Sequence, residues 1–174
     1  MIRIVNDFFE EDKFNQVLYH VKNKIYYSPR YFEGGPVGHK KTHDDHYGNR
    51  FTLNKDKKLL NVFMKQAEKK FNFKITKIYS DCGIDMRNLK TFQPHHDYVD
   101  GIKLNILIML DGPIGVTTGT VFYTDGELDI HVGFRPNRAV LFPSNYVHSA
   151  HQSETENLKR YTATLFVEDY ESLK

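Results

Sequence analysis

From about residue 74 to residue 167 the chain is a succession of short runs rich in β-branched and aromatic residues. They are "KITKIYS", "IKLNILIML", "GTVFYT", "LDIHVGF", "RAVLFP" and "RYTATLFV", broken by the turn signals "DGP", "TDGE" and "RPNR". Each run is too short to bury a face alone, so the runs must pair with one another. Many short strands of this kind close into a sandwich or jelly roll, so the expected class is mainly β with flanking helices. With 174 residues the chain is about one domain long. The reading is a single domain, 1–174, with a helical N-terminal part at 1–73 and a jelly-roll core at 74–168.

Two helices are expected ahead of the core. In "EEDKFNQVLYHVKNKI" the apolar positions Phe14, Val17, Leu18, Val21 and Ile25 recur every three or four residues, and Asn6, Asp7 and the acidic run suit a helix start. Leu60, Phe63, Met64, Ala67 and Phe71 repeat the pattern, with Asn54 available as a cap. Such one-sided helices cover one face of a sheet. The segment between them, 28–51, "SPRYFEGGPVGHKKTHDDHYGNRF", reads as a long polar loop of the kind that forms lids or binding segments.

Composition narrows the function classes, without excluding nucleic acid as a substrate. Lys+Arg 24 against Asp+Glu 22 leaves a net charge of +2, which is no electrostatic footprint for nucleic acid. The densest basic stretch, "KDKKLLNVFMKQAEKK", is the wet face of the second helix. The lone Cys82 cannot form an internal disulfide and reads as a small buried hydrophobe. The start, "MIRIVNDFFEED", meets acidic residues before a signal peptide could form, and no apolar run approaches the roughly 20 residues of a membrane span. A soluble protein of a reducing compartment, the cytoplasm, is expected.

The residues that carry chemistry begin at "FQPHHDYVD", 92–100. On an extended chain His95 and Asp97 project together while His96 turns away, so one imidazole and one carboxylate can share a metal ion. A third ligand must come from His131, His148 or His151. His148 follows "FPSNYV" at the end of the apolar strand "AVLFP", where a jelly roll returns a distant residue to the first strand pair. His151 lies three residues out of that register, and His131 sits inside the ordinary strand "LDIHVGF". Twelve residues beyond His148, Arg160 opens the strand "RYTATLFV" with Thr162 on its own face. Two imidazoles and one carboxylate leave positions open on a ferrous ion, the mark of oxygen-activating non-haem iron.

The ordered set "HHD" at 95–97, "VLFPSNYVH" ending at His148 and "RYT" at 160–162 resembles the 2-oxoglutarate- and Fe(II)-dependent oxygenases, particularly their prolyl 4-hydroxylase-like branch. The likeness spans roughly 86–168, and "IVNDFFEEDKF" is similar to the family's usual entry. It implies a double-stranded β-helix, iron held by His95, Asp97 and His148, and O2 and 2-oxoglutarate as co-reactants. The far carboxylate of 2-oxoglutarate would meet Arg160, whose planar fork matches it, with Thr162 beside it. The implied reaction releases succinate and CO2 and hydroxylates a C–H bond, with a peptide or amino acid favoured as substrate. Asp97 favours hydroxylation over halogenation, because related halogenases carry a small residue there.

Some positions depart from the family. Relatives often bind the cosubstrate with tyrosines where this chain has Met86 and Met109, neither of which hydrogen-bonds a carboxylate well. Either other groups replace them, Asn105 on the same strand face as Leu107 and Met109 being the candidate, or the metal site accepts a different keto acid. The glycine usual before the H-x-D is also missing. His39, His43, Asp44, Asp45 and His46 crowd together without cysteines to support zinc. They read as a loop at the site's mouth, with Tyr47, Asn49 and Arg50 as its substrate contacts. A cupin-like metal-binding module without turnover, or a demethylase using the same iron chemistry, is the competing reading.

Overall fold

In the computed structural model the described residues are 1–31, 46–87, 94–97, 101–151 and 159–173. Two antiparallel sheets face each other. The larger joins β1 (Arg3–Val5), β2 (Ser28–Tyr31), β3 (His46–Thr52), β4 (Phe73–Ile78), β5 (Gly83–Arg87), β6 (Leu104–Asp111), β9 (Arg138–Pro143) and β11 (Arg160–Ser172). Its order is β1-β9-β6-β11-β5-β3-β2, with β4 also pairing β11. The smaller holds β10 (His148–His151), β7 (Gly115–Thr124) and β8 (Glu127–Phe134), in that order. This is the expected mainly-β sandwich with flanking helices.

Alternation along the large sheet divides its residues between two cores. Ile84, Ile106, Ile108, Ala163, Leu165 and Val167 point to the helices, and none of them exposes any surface. There they meet Val17 and Val21 of α1 (Glu11–Asn23) and Leu60, Phe63, Ala67 and Phe71 of α2 (Lys57–Phe71). Each buried side chain of this size stabilises the fold by about 1.5–3 kcal/mol. The opposite face meets the small sheet through Met109, Phe122, Val132, Phe134, Val140 and Phe142. The strand "LNILIMLD" reads as almost continuously apolar because both of its faces are covered.

Several expectations change. The cap of α2 is Asp56, whose carboxylate accepts from Leu59 N at 2.9 Å. Asn54 instead donates to Tyr79 O at 3.0 Å from a short 3-10 turn, Leu53–Lys55. Segment 28–51 is not loop throughout, since β2 and β3 pair antiparallel at its two ends. The N-terminal part is therefore not only helical: β1, β2 and β3 complete the large sheet, and β11 runs on to Ser172. His39, His43, Asp44 and Asp45 lie outside the described residues, as do Tyr98 and Asp100. Cys82 is fully buried, as expected. No helix among the described residues is long and apolar enough to cross a membrane.

Candidate active site

His95 and His148 come together because their backbones form a two-bond antiparallel bridge, His95 N to His148 O at 2.9 Å and His148 N to His95 O at 2.8 Å. The serine of "FPS" completes the junction. Ser144 O accepts from Asp97 N at 3.1 Å, while its hydroxyl donates to Ile102 O at 2.6 Å. The end of β9 thus fixes both the H-x-D segment and the turn leading to His148. Segment 94–97 is not a strand beyond this bridge, yet the expected alternation holds: His95 and Asp97 are partly buried and His96 is exposed.

The ligand atoms of His95, Asp97 and His148 all lie within 4.8 Å of one another. His95 Nε2 stands 3.8 Å from Asp97 Oδ1, and His148 Nε2 stands 3.3 Å from Asp97 Oδ2. Tyr146 O lies 3.0 Å from His148 Nδ1 and can only accept, so Nδ1 carries a proton and Nε2 is the ring nitrogen turned to the cluster. The Phe142 and Phe122 rings, with centroids 4.8 and 6.0 Å from that of His148, wall the imidazole. Burial alone would raise the Asp97 carboxyl. Hydrogen bonding to His148 and the charges of His148, His95 and Arg87 outweigh it and hold the group below its ordinary value. An anionic carboxylate between two imidazoles suits a divalent cation.

The triad opens onto a cavity of about 340 Å³ between the sheets. From β11 it receives Arg160, Thr162, Thr164 and Phe166, which alternate with the helix-facing residues of the same strand. Arg160 is 3% exposed. Its Nη1 donates to Gly119 O at 2.7 Å and its Nη2 to Thr120 Oγ1 at 3.4 Å, and the guanidinium lies 5.1 Å from the Phe134 ring centre. Gly119 has φ +142, and a Cβ there would collide with Val132 O and Gly133 Cα, so only glycine turns its carbonyl onto the arginine. Among the described residues Arg160 Nε has no hydrogen-bond partner and no carboxylate lies within ion-pair distance of the group. Burial first, then the nearby Arg87, depresses the guanidinium to about 9, with Asp85 pulling the other way. Arginine keeps its proton at neutral pH, so the depression reflects a buried cation that lacks an anion.

A second wall comes from β5 and β3. Asp85 and Arg87 face the cavity, while Ile84 and Met86 face the helices. Arg50 Nη1 donates to Asp85 Oδ1 and Oδ2 at 3.1 and 2.9 Å, and Nη2 donates to Asp81 O at 2.5 Å. The guanidinium lies so close over Gly83 that any Cβ there would meet it. Of the expected substrate contacts, Arg50 lines the cavity and Asn49 sits on β3 beside it; nothing is described of the Tyr47 side chain. Asp85, Arg87, Tyr79 and Thr120 also line the cavity and were not anticipated. The period-two pattern of "GIDMR", polar at 85 and 87 and apolar at 84 and 86, is the signal for the first pair.

The other singled-out residues fall elsewhere. Met86 packs in the helix-side core by strand alternation, and Met109 is fully buried in the inner one, its sulfur accepting from Arg135 N at 3.4 Å. Asn105 is fully buried and sends Nδ2 to Asp97 Oδ2 at 2.8 Å, so its amide meets the carboxylate rather than the open cavity. His151 is separated from His148 by the alternation of β10 and instead neighbours His131, at 5.7 Å between ring centres. His131 itself is exposed on β8, with Nε2 3.1 Å from Thr118 O.

Neither a family model nor a curated protein sequence matches the chain. Solved structures do. A prolyl hydroxylase from Trichoplax adhaerens, in complex with a hypoxia-inducible factor oxygen degradation domain peptide fragment, is 14% identical with a TM-score of 0.62, covering 97% of this chain and 83% of its own. The non-haem α-ketoglutarate-dependent epimerase SnoN from nogalamycin biosynthesis is 13% identical with a TM-score of 0.61, covering 98% and 77%. An oxidoreductase of the 2OG-Fe(II) oxygenase family from Burkholderia pseudomallei is 9% identical with a TM-score of 0.64, covering 98% and 87%. The chain has the double-stranded β-helix fold of the 2-oxoglutarate- and Fe(II)-dependent oxygenases.

Proposed function

We propose that the chain is an Fe(II)- and 2-oxoglutarate-dependent dioxygenase that hydroxylates a C–H bond of a peptide or amino-acid-type substrate, releasing succinate and CO2. The observation that carries this reading is a buried arginine that has no anionic partner among the described residues, in the same cavity as a His-Asp-His cluster. A metal-binding module without turnover explains the cluster but gives Arg160 no task.

His95, Asp97 and His148 would hold the iron, with His148 fixed in the right tautomer by Tyr146 O. When bound, iron and 2-oxoglutarate supply the oxidising chemistry that activates O2. Arg160 would take the far carboxylate of 2-oxoglutarate, using Nε and the donors left over from Gly119 and Thr120, with Thr162 adding a neutral hydrogen bond. Phe142, Leu107 and Ala150 line the cavity with apolar surface that keeps bulk water from the reacting groups. The substrate would approach along the wall of Arg50, Asp85, Asp81 and Tyr79, whose mixed charges suit a polar chain. The Trichoplax protein, solved in complex with a peptide fragment, supports a peptide as the first candidate.

The test is succinate formation from 2-oxoglutarate in the presence of Fe(II). Wild type is expected to form it, slowly even without substrate, while Asp97→Ala and His148→Ala fall to background with unchanged folding. A mass-spectrometric search of candidate peptides and amino acids for the gain of one oxygen atom then identifies the substrate. A folded, iron-loaded protein that neither binds nor turns over 2-oxoglutarate would overturn the reading.

A further inference from the structure

Asp97 belongs to segment 94–97, whose backbone meets the sheets at the His95 bridge and through the bond from Asp97 N to Ser144 O. What fixes its side chain is on another element. Asn105 stands in β6 with no exposed surface and donates Nδ2 to Asp97 Oδ2 at 2.8 Å. An ionised carboxylate only accepts, so the amide nitrogen is the atom that faces it.

Packing does not account for an asparagine at this position. Its register partners are Phe142 on β9 and Phe166 on β11, and the next residues on its face are Leu107 and Met109. Its own Oδ1 is buried and finds no hydrogen-bond partner among the described residues. A buried amide carbonyl in that state lowers stability, and an apolar residue of the same volume would avoid the loss. The amide therefore weakens the fold at the one point where it touches a metal ligand.

We infer that Asn105 is a positioning residue for the metal site. Its amide holds the Asp97 carboxylate in the rotamer that faces His95 and His148, so the ligand set is arranged before an ion arrives. The bond also ties a carboxylate on an irregular segment to a strand hydrogen-bonded on both sides. This inference rests on the reading of His95, Asp97 and His148 as a metal site.

The experiment is titration of metal-free protein with Mn(II), followed by loss of the free-ion paramagnetic resonance signal, alongside thermal unfolding without metal. Asn105→Leu is expected to bind Mn(II) about tenfold more weakly than wild type or worse, with a metal-free Tm equal to or above wild type. Asn105→Ala, which fits whatever the repacking, is expected to weaken Mn(II) binding to the same degree. A residue with only a structural role would move the Tm down and leave affinity alone. Wild-type affinity in either variant, while Asp97→Ala abolishes binding, would overturn the Asn105 inference and leave the metal site standing. Wild-type affinity in Asp97→Ala would overturn the metal site itself, and the inference with it.

Discussion

The two faces of the large sheet are written by the same strands and do opposite work. On β11, Tyr161, Ala163, Leu165 and Val167 meet the helix-side core, while Arg160, Thr162, Thr164 and Phe166 line the cavity. On β5, Ile84 and Met86 take the first role, Asp85 and Arg87 the second. The helix face gains stability from apolar burial. The inner face carries two groups that, among the described residues, are incompletely paired: the Arg160 guanidinium, which lacks an anion, and the Asn105 amide, whose oxygen has no partner. Neighbouring residues can therefore differ in the sign of their effects on stability, one holding the fold and the next weakening it.

The largest effect that would sharpen this contrast is Leu165→Ala. It should cost about 3 kcal/mol of unfolding free energy, read by denaturant melts, because a fully buried leucine leaves a cavity the sheet cannot close. Turnover per folded molecule should stay at the wild-type level. Arg160→Met, five positions away on the other face, is expected to do the reverse. The KM for 2-oxoglutarate should rise by about 100-fold, or about 2.7 kcal/mol, while the Tm holds or climbs. A fall in Tm with KM unchanged would break the comparison.

The smallest effect concerns acid-base chemistry on the helix side. Burial pushes the Cys82 thiol from 9.0 to about 11, with the Phe166 backbone and Arg50 partly offsetting it. The folded protein thus keeps a proton that the unfolded chain releases. The stability this contributes is whole below pH 9 and is lost as pH rises towards 11. A loss of about 2 kcal/mol across that window is expected, and denaturant melts of wild type and Cys82→Ala at several pH values measure it. Parallel curves for the two proteins would refute the assignment.

Much of this division can be read in the sequence. "RYTATLFV" and "IKLNILIML" announce strands, and "FPS" with the histidine four residues on locates the third member of the cluster, because local pattern and residue order carry that information. Short or pattern-poor strands are harder. β5 has five residues and β10 four, and β3 runs through "HYGNRFT", whose composition is that of a loop. Their pairing partners are what make them strands. Asn105 illustrates the deeper limit: its face was evident from alternation, but that its amide would meet Asp97 depends on how segment 94–97 crosses the sheet. The cap of α2 went to Asp56 and not Asn54 for a similar reason, since the turn at Leu53–Lys55 moves the helix start.

The backbone bridge between His95 and His148 has a kinetic consequence. Asp97 and His148 are 51 residues apart in the chain, and only closure of the two sheets brings them together. Contacts of such long range form late, after the loop entropy between them has been overcome. A growing or partly folded chain therefore has no assembled trap for a divalent ion. A metal bound there would lock only a fold that has already formed, so its uptake should follow folding as a separate event.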